Sequence, residues 1–524
     1  MPDSGEFSVA TNAARPVAVI DVGTSSIRMA VAEIDSSGEV RVLETLAQGV
    51  SLGKDTFTKG EIERSTIEDC VRVLRRYAQT LEEYRITSAN DVRVVATSAV
   101  REASNRLAFL DRIYVATGFT VDAIDTTEVH RITYRSIQPQ LRSSKVLRES
   151  RVIITEVGGG STELLLVDNG EVAYSHSYRL GSLRLRESLS EYRASPDKMQ
   201  ELMESQIQRT IEQLPHHIDT HDRSEMVALG GDMRFAAREL LRGWDPDSLA
   251  RLTVAEFGEL AYRMLKLTPD EIVRKYRVSF QDAETLGPAM LVYLDLARLL
   301  DLDHINVSNA NLRDGLLHEM ASNDVWTDDF RNQIVRSALE LGRKYHFDEP
   351  HAKHVAVLSG AVFAALASEH QLDDRAALIL HIAALLHEIG SYVNQSSLHK
   401  HSLYLILNSE LFGLTKEDMT LVALVARYHR RASPKPTHLY YGTLERTQRV
   451  AVSKMAAILR LADALDTSRS QRVGDISCEI EADRLIITVS NLSDLSVEQL
   501  AMQQARTLFQ EIFGLRVLLR AGGR

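Results

Sequence analysis

Two short stretches of this chain place acids, glycines and hydroxyls at matching spacing. Residues 152–172, VIITEVGGGSTELLLVDNGEV, run from an apolar segment into Glu156, three glycines and Ser-Thr-Glu, then back into apolar residues. Residues 17–34, VAVIDVGTSSIRMAVAEI, repeat the layout, with Asp21 in register with Glu156, Gly23 with Gly158 and Ser26 with Ser161. Glycine tolerates positive φ and lets backbone N–H groups converge on an anion. Small hydroxyls add donors, and a carboxylate at the strand end can hold Mg²⁺ or orient a water. The pair therefore reads as two phosphate-clamping loops flanked by acids. Taken singly, either copy is also compatible with an ordinary glycine-rich hairpin.

Such loops need strands before and after them, and the surrounding pattern supplies these. Between the copies, VRVVATSAVREASNRLAFLDRIYVATG (residues 92–118) reads as a strand ending at Ala96, then a helix closed by the C-cap glycine Gly118. Thr97, Ser98 and Arg101 fall where strand meets helix N-terminus, a setting for an anion or for plain N-capping. Upstream, Ser65 and Glu68 have capping-box spacing, and Ile67, Val71, Leu74, Ala78 and Leu81 form an apolar stripe on a packing helix.

The chain has 524 residues, 44% hydrophobic and 25% charged, enough for several domains of an ordinary soluble protein. Its only cysteines are Cys70 and Cys478, so neither a disulfide framework nor a Cys-based zinc site is expected, and a reducing cytoplasm fits. A net charge of −11 argues against general nucleic-acid binding but allows a local basic site. No apolar run approaches the length of a membrane span, so no membrane partner is expected, and residues 1–15 read as a loose tail.

The series VIDVGTSSIRMAVAEI, VVATSAVREASN, EVGGGSTELLLV, SYRLGSLRL, MVALGGDMRFAA and NANLRDGLLHEM resembles the exopolyphosphatase and guanosine pentaphosphate phosphatase family in order and spacing, over about residues 16–470. The resemblance implies an α/β fold of the actin-like ATPase superfamily. Two RNase-H-like domains (16–137 and 138–322) would be followed by an all-α HD-like domain (323–472) and a small α+β cap (473–524). It also implies release of terminal phosphate from inorganic polyphosphate or guanosine pentaphosphate, with Mg²⁺, by a protein that is often a homodimer. Carried over position by position, phosphate binding falls to Asp21, Gly23, Thr24, Ser25, Ser26, Arg28, Thr97, Ser98, Arg101, Gly158, Gly159, Gly160, Ser161, Thr162, Gly230 and Gly231. Mg²⁺ falls to Asp21, Glu156 and Glu163.

Two departures stand out. The family's second-loop Asp is Glu156 here, which moves the carboxylate by roughly 1.5 Å, one carbon–carbon bond. The family's Glu-Ala-Arg segment, whose Glu is taken as the water-activating base, reads Val129-His130-Arg131. Glu156, Glu163 and the neighbouring Glu128 are then the catalytic candidates, with a catalytically impaired sensor of polyphosphate or of guanosine tetra- and pentaphosphate as the alternative.

From about Trp326 the pattern turns helical. His354, the pair His387-Glu388, His429 and Asp463 are spaced like an HD-type phosphohydrolase site, or are structural histidines of a degenerate domain. The segment RYHRRASPKPTH gathers Arg427, Arg430, Arg431 and Lys435, as a solvated loop or a landing site for a polyanion. The last fifty residues read strand, turn, strand, helix, strand.

Overall fold

The computed structural model describes residues 14–189, 195–212, 214, 224–322, 328–430, 432–490 and 492–522; most of the expected tail, and Arg431, lie outside them. The chain divides into two compact units, residues 1–326 and 327–524.

The first unit holds two sheets. Strands β1 (Arg15–Val22), β2 (Ser26–Ile34), β3 (Val40–Gly49), β4 (Val92–Ala96) and β5 (Val121–Ala123) lie in the order β3-β2-β1-β4-β5. β1 and β2 pair antiparallel, and β1 and β4 parallel. The second sheet comprises β6 (Arg151–Val157), β7 (Thr162–Asp168), β8 (Glu171–Tyr178), β9 (Ser224–Leu229), β10 (Ala250–Thr253) and β11 (His304–Val307). Its order, β10-β11-β9-β6-β7-β8, repeats the first with one antiparallel edge strand added. The echo in sequence is thus a duplicated architecture, with each acid-bearing loop at the first hairpin of its sheet.

Both faces of the first sheet are covered, which is why β1 reads as an unbroken apolar run. One face packs the stripe Ile67, Val71, Leu74 and Leu81 of helix Arg64–Glu83 and Phe109 and Ile113 of helix Arg106–Thr117, which closes at left-handed Gly118. Ser65 does not cap the first of these; Glu63 is its N-cap residue, one position before the helix begins at Arg64. The other face packs Val129 and Ile132 of helix Thr126–Ser143 together with Leu312, Leu316 and Leu317 of helix Leu312–Ala321. The chain therefore returns from the second sheet to the first, and residue 137 falls inside a helix instead of marking a boundary. The second sheet is filled by helix Phe280–Leu299, which sends Tyr293 to the mouth of the second loop.

Tyr293 is fully buried; its hydroxyl accepts from Val157 N–H at 2.7 Å and donates to the Leu229 carbonyl. It ties β6 to β9 where both strands stop. Tyr293→Phe leaves two buried backbone groups unpaired, and roughly 1–3 kcal/mol per group is the expected loss. Urea unfolding of the variant measures it.

The second unit is a helical body followed by a small sheet. Helices Glu349–Ala365, Asp374–Leu386, Lys416–Arg427 and Arg446–Leu465 pack through Val355, Ile382, Val422 and Ile458. β12 (Ile476–Glu481), β13 (Arg484–Val489), helix Ser496–Phe513 and β14 (Arg516–Ala521) follow in the expected order, and β14 runs parallel to β13. Among the described residues no helix is long and apolar enough to cross a membrane.

Candidate functional site

The two loops close identically: Gly23 N–H donates to Ser26 O at 3.0 Å, and Gly158 N–H to Ser161 O at 2.8 Å. Each then anchors the first turn of a following helix. Thr24 O accepts from Gly53 N–H, and Gly159 O from Arg184 N–H. The loops also touch. A Cβ on Gly159 would collide with the Thr24 hydroxyl, one on Gly160 would sit 2.5 Å from Ser98 Oγ, and one on Gly181 would enter the Gly159–Gly160 backbone. None of Gly23, Gly158, Gly159 or Gly160 has positive φ. For Gly159 and Gly160 the expected conformational reason is therefore replaced by a steric one, the close approach of Thr24 to the first and of Phe57 and Ser98 to the second. Gly230, at φ 103°, does use glycine's freedom, at the start of helix Gly231–Leu240.

Beside the loops lies a cleft of about 320 Å³. Asp21, Gly23, Thr24, Ser25, Ser26 and Arg28 from the first loop line it, as do Thr97, Ser98 and Arg101. The second loop contributes Glu156, Gly158, Gly159, Ser161 and Glu163, and Gly230 and Gly231 line the cleft from the start of the helix that follows β9. Thr97 makes no side-chain capping bond, so its hydroxyl is not spent on the helix it precedes.

Three expected residues stand elsewhere. Thr162 turns its hydroxyl to the Leu180 carbonyl and is buried. Gly160 is pressed under Phe57 and Ser98, outside the lining. Glu128 faces Arg93 at 3.4 Å and Arg131 at 3.5 Å, while Val129, 8% exposed, lines the cleft. Consecutive helical residues point about 100° apart, so Glu128 does not fill the place left by valine.

The carboxylates differ sharply. Glu163 is buried; its Oε1 accepts from Ser161 at 2.6 Å and Ser177 at 3.0 Å, and its Oε2 faces His130 Nε2 at 2.8 Å. Burial works against its charge, but the His130 and serine hydrogen bonds outweigh it and hold the carboxyl below its ordinary value. Burial pushes Glu156 up to about 7, opposed by Arg234 and reinforced by Glu163 and Asp21. Asp21 is likewise raised by burial, against Arg313 and Arg28, with Arg313 at 3.7 Å.

Asp21 Oδ1 is buried without a hydrogen-bond partner. That orphan oxygen and the crowded Glu156 fit a cation that keeps several of its own waters, as Mg²⁺ does. Glu163 fits less well, because both its oxygens are already engaged by protein donors.

Sequence reasoning missed His130, Arg234, Arg238 and Arg313. The three arginines line the cleft, and Arg234 Nη1 is buried with no partner. The signal was present in the quoted segments MVALGGDMRFAA and NANLRDGLLHEM: an arginine in the first turn of a helix that follows a strand of the second sheet. His130, 0% exposed, lies on a buried stripe of its helix with Thr133 and Ile137.

The model of the Ppx/GppA phosphatase family matches residues 16–324, and that of Ppx/GppA phosphatase domain III matches residues 335–511. The chain belongs to the Ppx/GppA phosphatase family. An exopolyphosphatase from Cytophaga hutchinsonii is similar in fold at 21% identity, with 59% of this chain and 98% of that one covered and a TM-score of 0.53. An exopolyphosphatase-like protein matches at 21% identity over 58% and 97% of the chains with a TM-score of 0.50. The Aquifex aeolicus Ppx/GppA family member matches at 23% over 60% and 100%, with a TM-score of 0.49.

In the second unit of this Ppx/GppA protein, the expected histidine set needs correcting. His351, His387 and Glu388 bring ligand atoms within 4.8 Å of one another, and Asp463 joins them; His354, one turn on and half-buried, does not. Residues three apart share a helix face, so spacing alone could not choose between His351 and His354. Of the expected polyanion site, Arg430 lines a cavity in this unit, Lys435 is exposed in the following turn, and Arg427 leans over the Tyr428 ring.

Proposed function

We propose that the cleft of the first unit hydrolyses the terminal phosphoanhydride of inorganic polyphosphate, releasing orthophosphate. The observation that carries this reading is Arg234: a buried guanidinium nitrogen without a partner, in a cleft also lined by Arg28, Arg101, Arg238 and Arg313. A buried donor left unpaired costs about 1–3 kcal/mol, more when charged, and a phosphate oxygen removes that cost. The loop hydroxyls and amides donate to the remaining oxygens of the same group. Guanosine pentaphosphate offers the same terminal bond and is the competing substrate.

In the reaction a water oxygen bonds to the terminal phosphorus while the bridging P–O bond breaks, so that the chain leaves one phosphate shorter. Mg²⁺, held by Asp21 and Glu156, would neutralise charge on the phosphate oxygens. Glu163, kept ionised by His130 and two serines, orients the water and takes up its proton. Phosphoryl transfer leans on positioning and electrostatics more than on a strong base, which leaves turnover possible without an acid at position 129.

A second reading, a sensor that binds the phosphate chain without turning it over, is favoured by Val129 lining the cleft. Phosphate release from long-chain polyphosphate and from guanosine pentaphosphate, with Mg²⁺, separates the two. Turnover by the wild type is expected, with Val129→Glu raising it about 10²-fold. A silent wild type that binds polyphosphate and gains hydrolysis with Val129→Glu would be the sensor.

A further inference from the structure

The second unit contains three imidazoles whose tautomer is fixed by their partners. His351 Nδ1 is 2.8 Å from Asp466 Oδ2, a buried carboxylate that also accepts from the Gln471 backbone N–H at 2.8 Å. His387 Nδ1 is 2.6 Å from the Ala384 carbonyl, and His429 Nδ1 is 2.5 Å from the Ala426 carbonyl. Carbonyl and carboxylate oxygens only accept, so each Nδ1 carries the hydrogen. In its neutral form each ring therefore presents a bare lone pair at Nε2.

All three Nε2 atoms are buried, and none has a hydrogen-bond partner. Two of them converge on one oxygen: Asp463 Oδ1 is 3.5 Å from His351 Nε2 and 3.7 Å from His387 Nε2. The His429 ring stands edge-on to that of His387, with centroids 4.9 Å apart. Glu388 Oε2 is 4.0 Å from His351 Nε2, drawn aside by Arg469 at 2.5 Å. Hydrogen bonds are shorter than these separations. Ligand atoms about 2.1 Å from a shared ion at tetrahedral angles stand roughly 3.4 Å apart.

We propose that His351, His387 and Asp463, completed by His429 or Glu388, bind one divalent transition-metal ion. The donor set, imidazole nitrogen with carboxylate oxygen, selects manganese, iron, cobalt or zinc over Mg²⁺. Asp466 and the two carbonyls aim the rings, as outer-shell partners do in metal centres. Asp463 and His429 also line a cavity of about 710 Å³ together with His399, Arg430, Arg460 and Thr467. The ion is thus reachable, and the basic lining admits an oxyanion to its open position. This site is independent of the cleft chemistry.

Titration of the full-length, chelator-treated protein with Co²⁺ tests it. Expected is a visible d–d band that saturates at one ion per chain, with a rise in thermal midpoint. The band is lost in His351→Gln and His387→Gln, while Asp21→Asn and His354→Gln keep it. Asp466→Asn, which frees the His351 ring, weakens binding about 10–100-fold. Absence of the band and of the thermal shift in the wild type overturns the proposal without reference to any variant. So does a band of full stoichiometry in folded His387→Gln.

Discussion

Glu163→Gln slows orthophosphate release from long-chain polyphosphate by about 10²–10⁴-fold at saturating substrate, with little change in KM. The substitution is close to isosteric, and its surroundings can accommodate it. Ser161 and Ser177 hydroxyls rotate to accept from the new amide, and His130 Nε2–H continues to donate to the amide oxygen. What disappears is the negative charge facing the attacking water. An unchanged thermal midpoint beside a collapsed kcat separates lost chemistry from lost fold. A variant with full kcat would remove Glu163 from the reaction.

Arg234→Ala acts on the other reactant. It lowers kcat/KM for polyphosphate by about 10²–10³-fold, the scale seen when a preorganised donor at developing charge is removed. Arg234 also opposes the burial that raises Glu156, so its loss leaves Glu156 facing Asp21 and Glu163 with less positive charge nearby. Arg234→Lys returns a cation without the planar fork and recovers only part of the loss. Polyphosphate affinity measured at rising salt provides the check: the wild type weakens with ionic strength, and Arg234→Ala does so less steeply.

Much of this site was legible because it is built from hairpin loops, whose residues stay together in sequence. Asp21 to Ser26 and Glu156 to Ser161 reach the cleft as two short runs, and their register in the two sheets is the register of the sequence echo. The duplicated sheets were legible for the same reason. Side-chain direction was not. Glu128 and Val129 are neighbours, and only the helix axis decides that valine faces the cleft while glutamate meets Arg93 and Arg131. His351 and His354 share a helix face, and tertiary packing alone selects the first. Arg234 and Arg313 were quoted within their segments but not singled out: each sits near the start of a helix that directly follows a strand of the second sheet, and only the assembled sheet shows that this end of the strands faces the cleft. His130 was hidden by a similar effect, since its partner Glu163 belongs to the other sheet.

The contact between Gly159 and Thr24 has a genetic consequence. A side chain at 159 is excluded by the threonine, and bulk at 24 is tolerated only while 159 stays glycine. The two positions, one in each half of a duplicated architecture, therefore behave as a single locus. A lesion at 159 finds its suppressor among smaller residues at 24. The halves repeat one layout but cannot vary independently at this point: each loop is part of the other's environment.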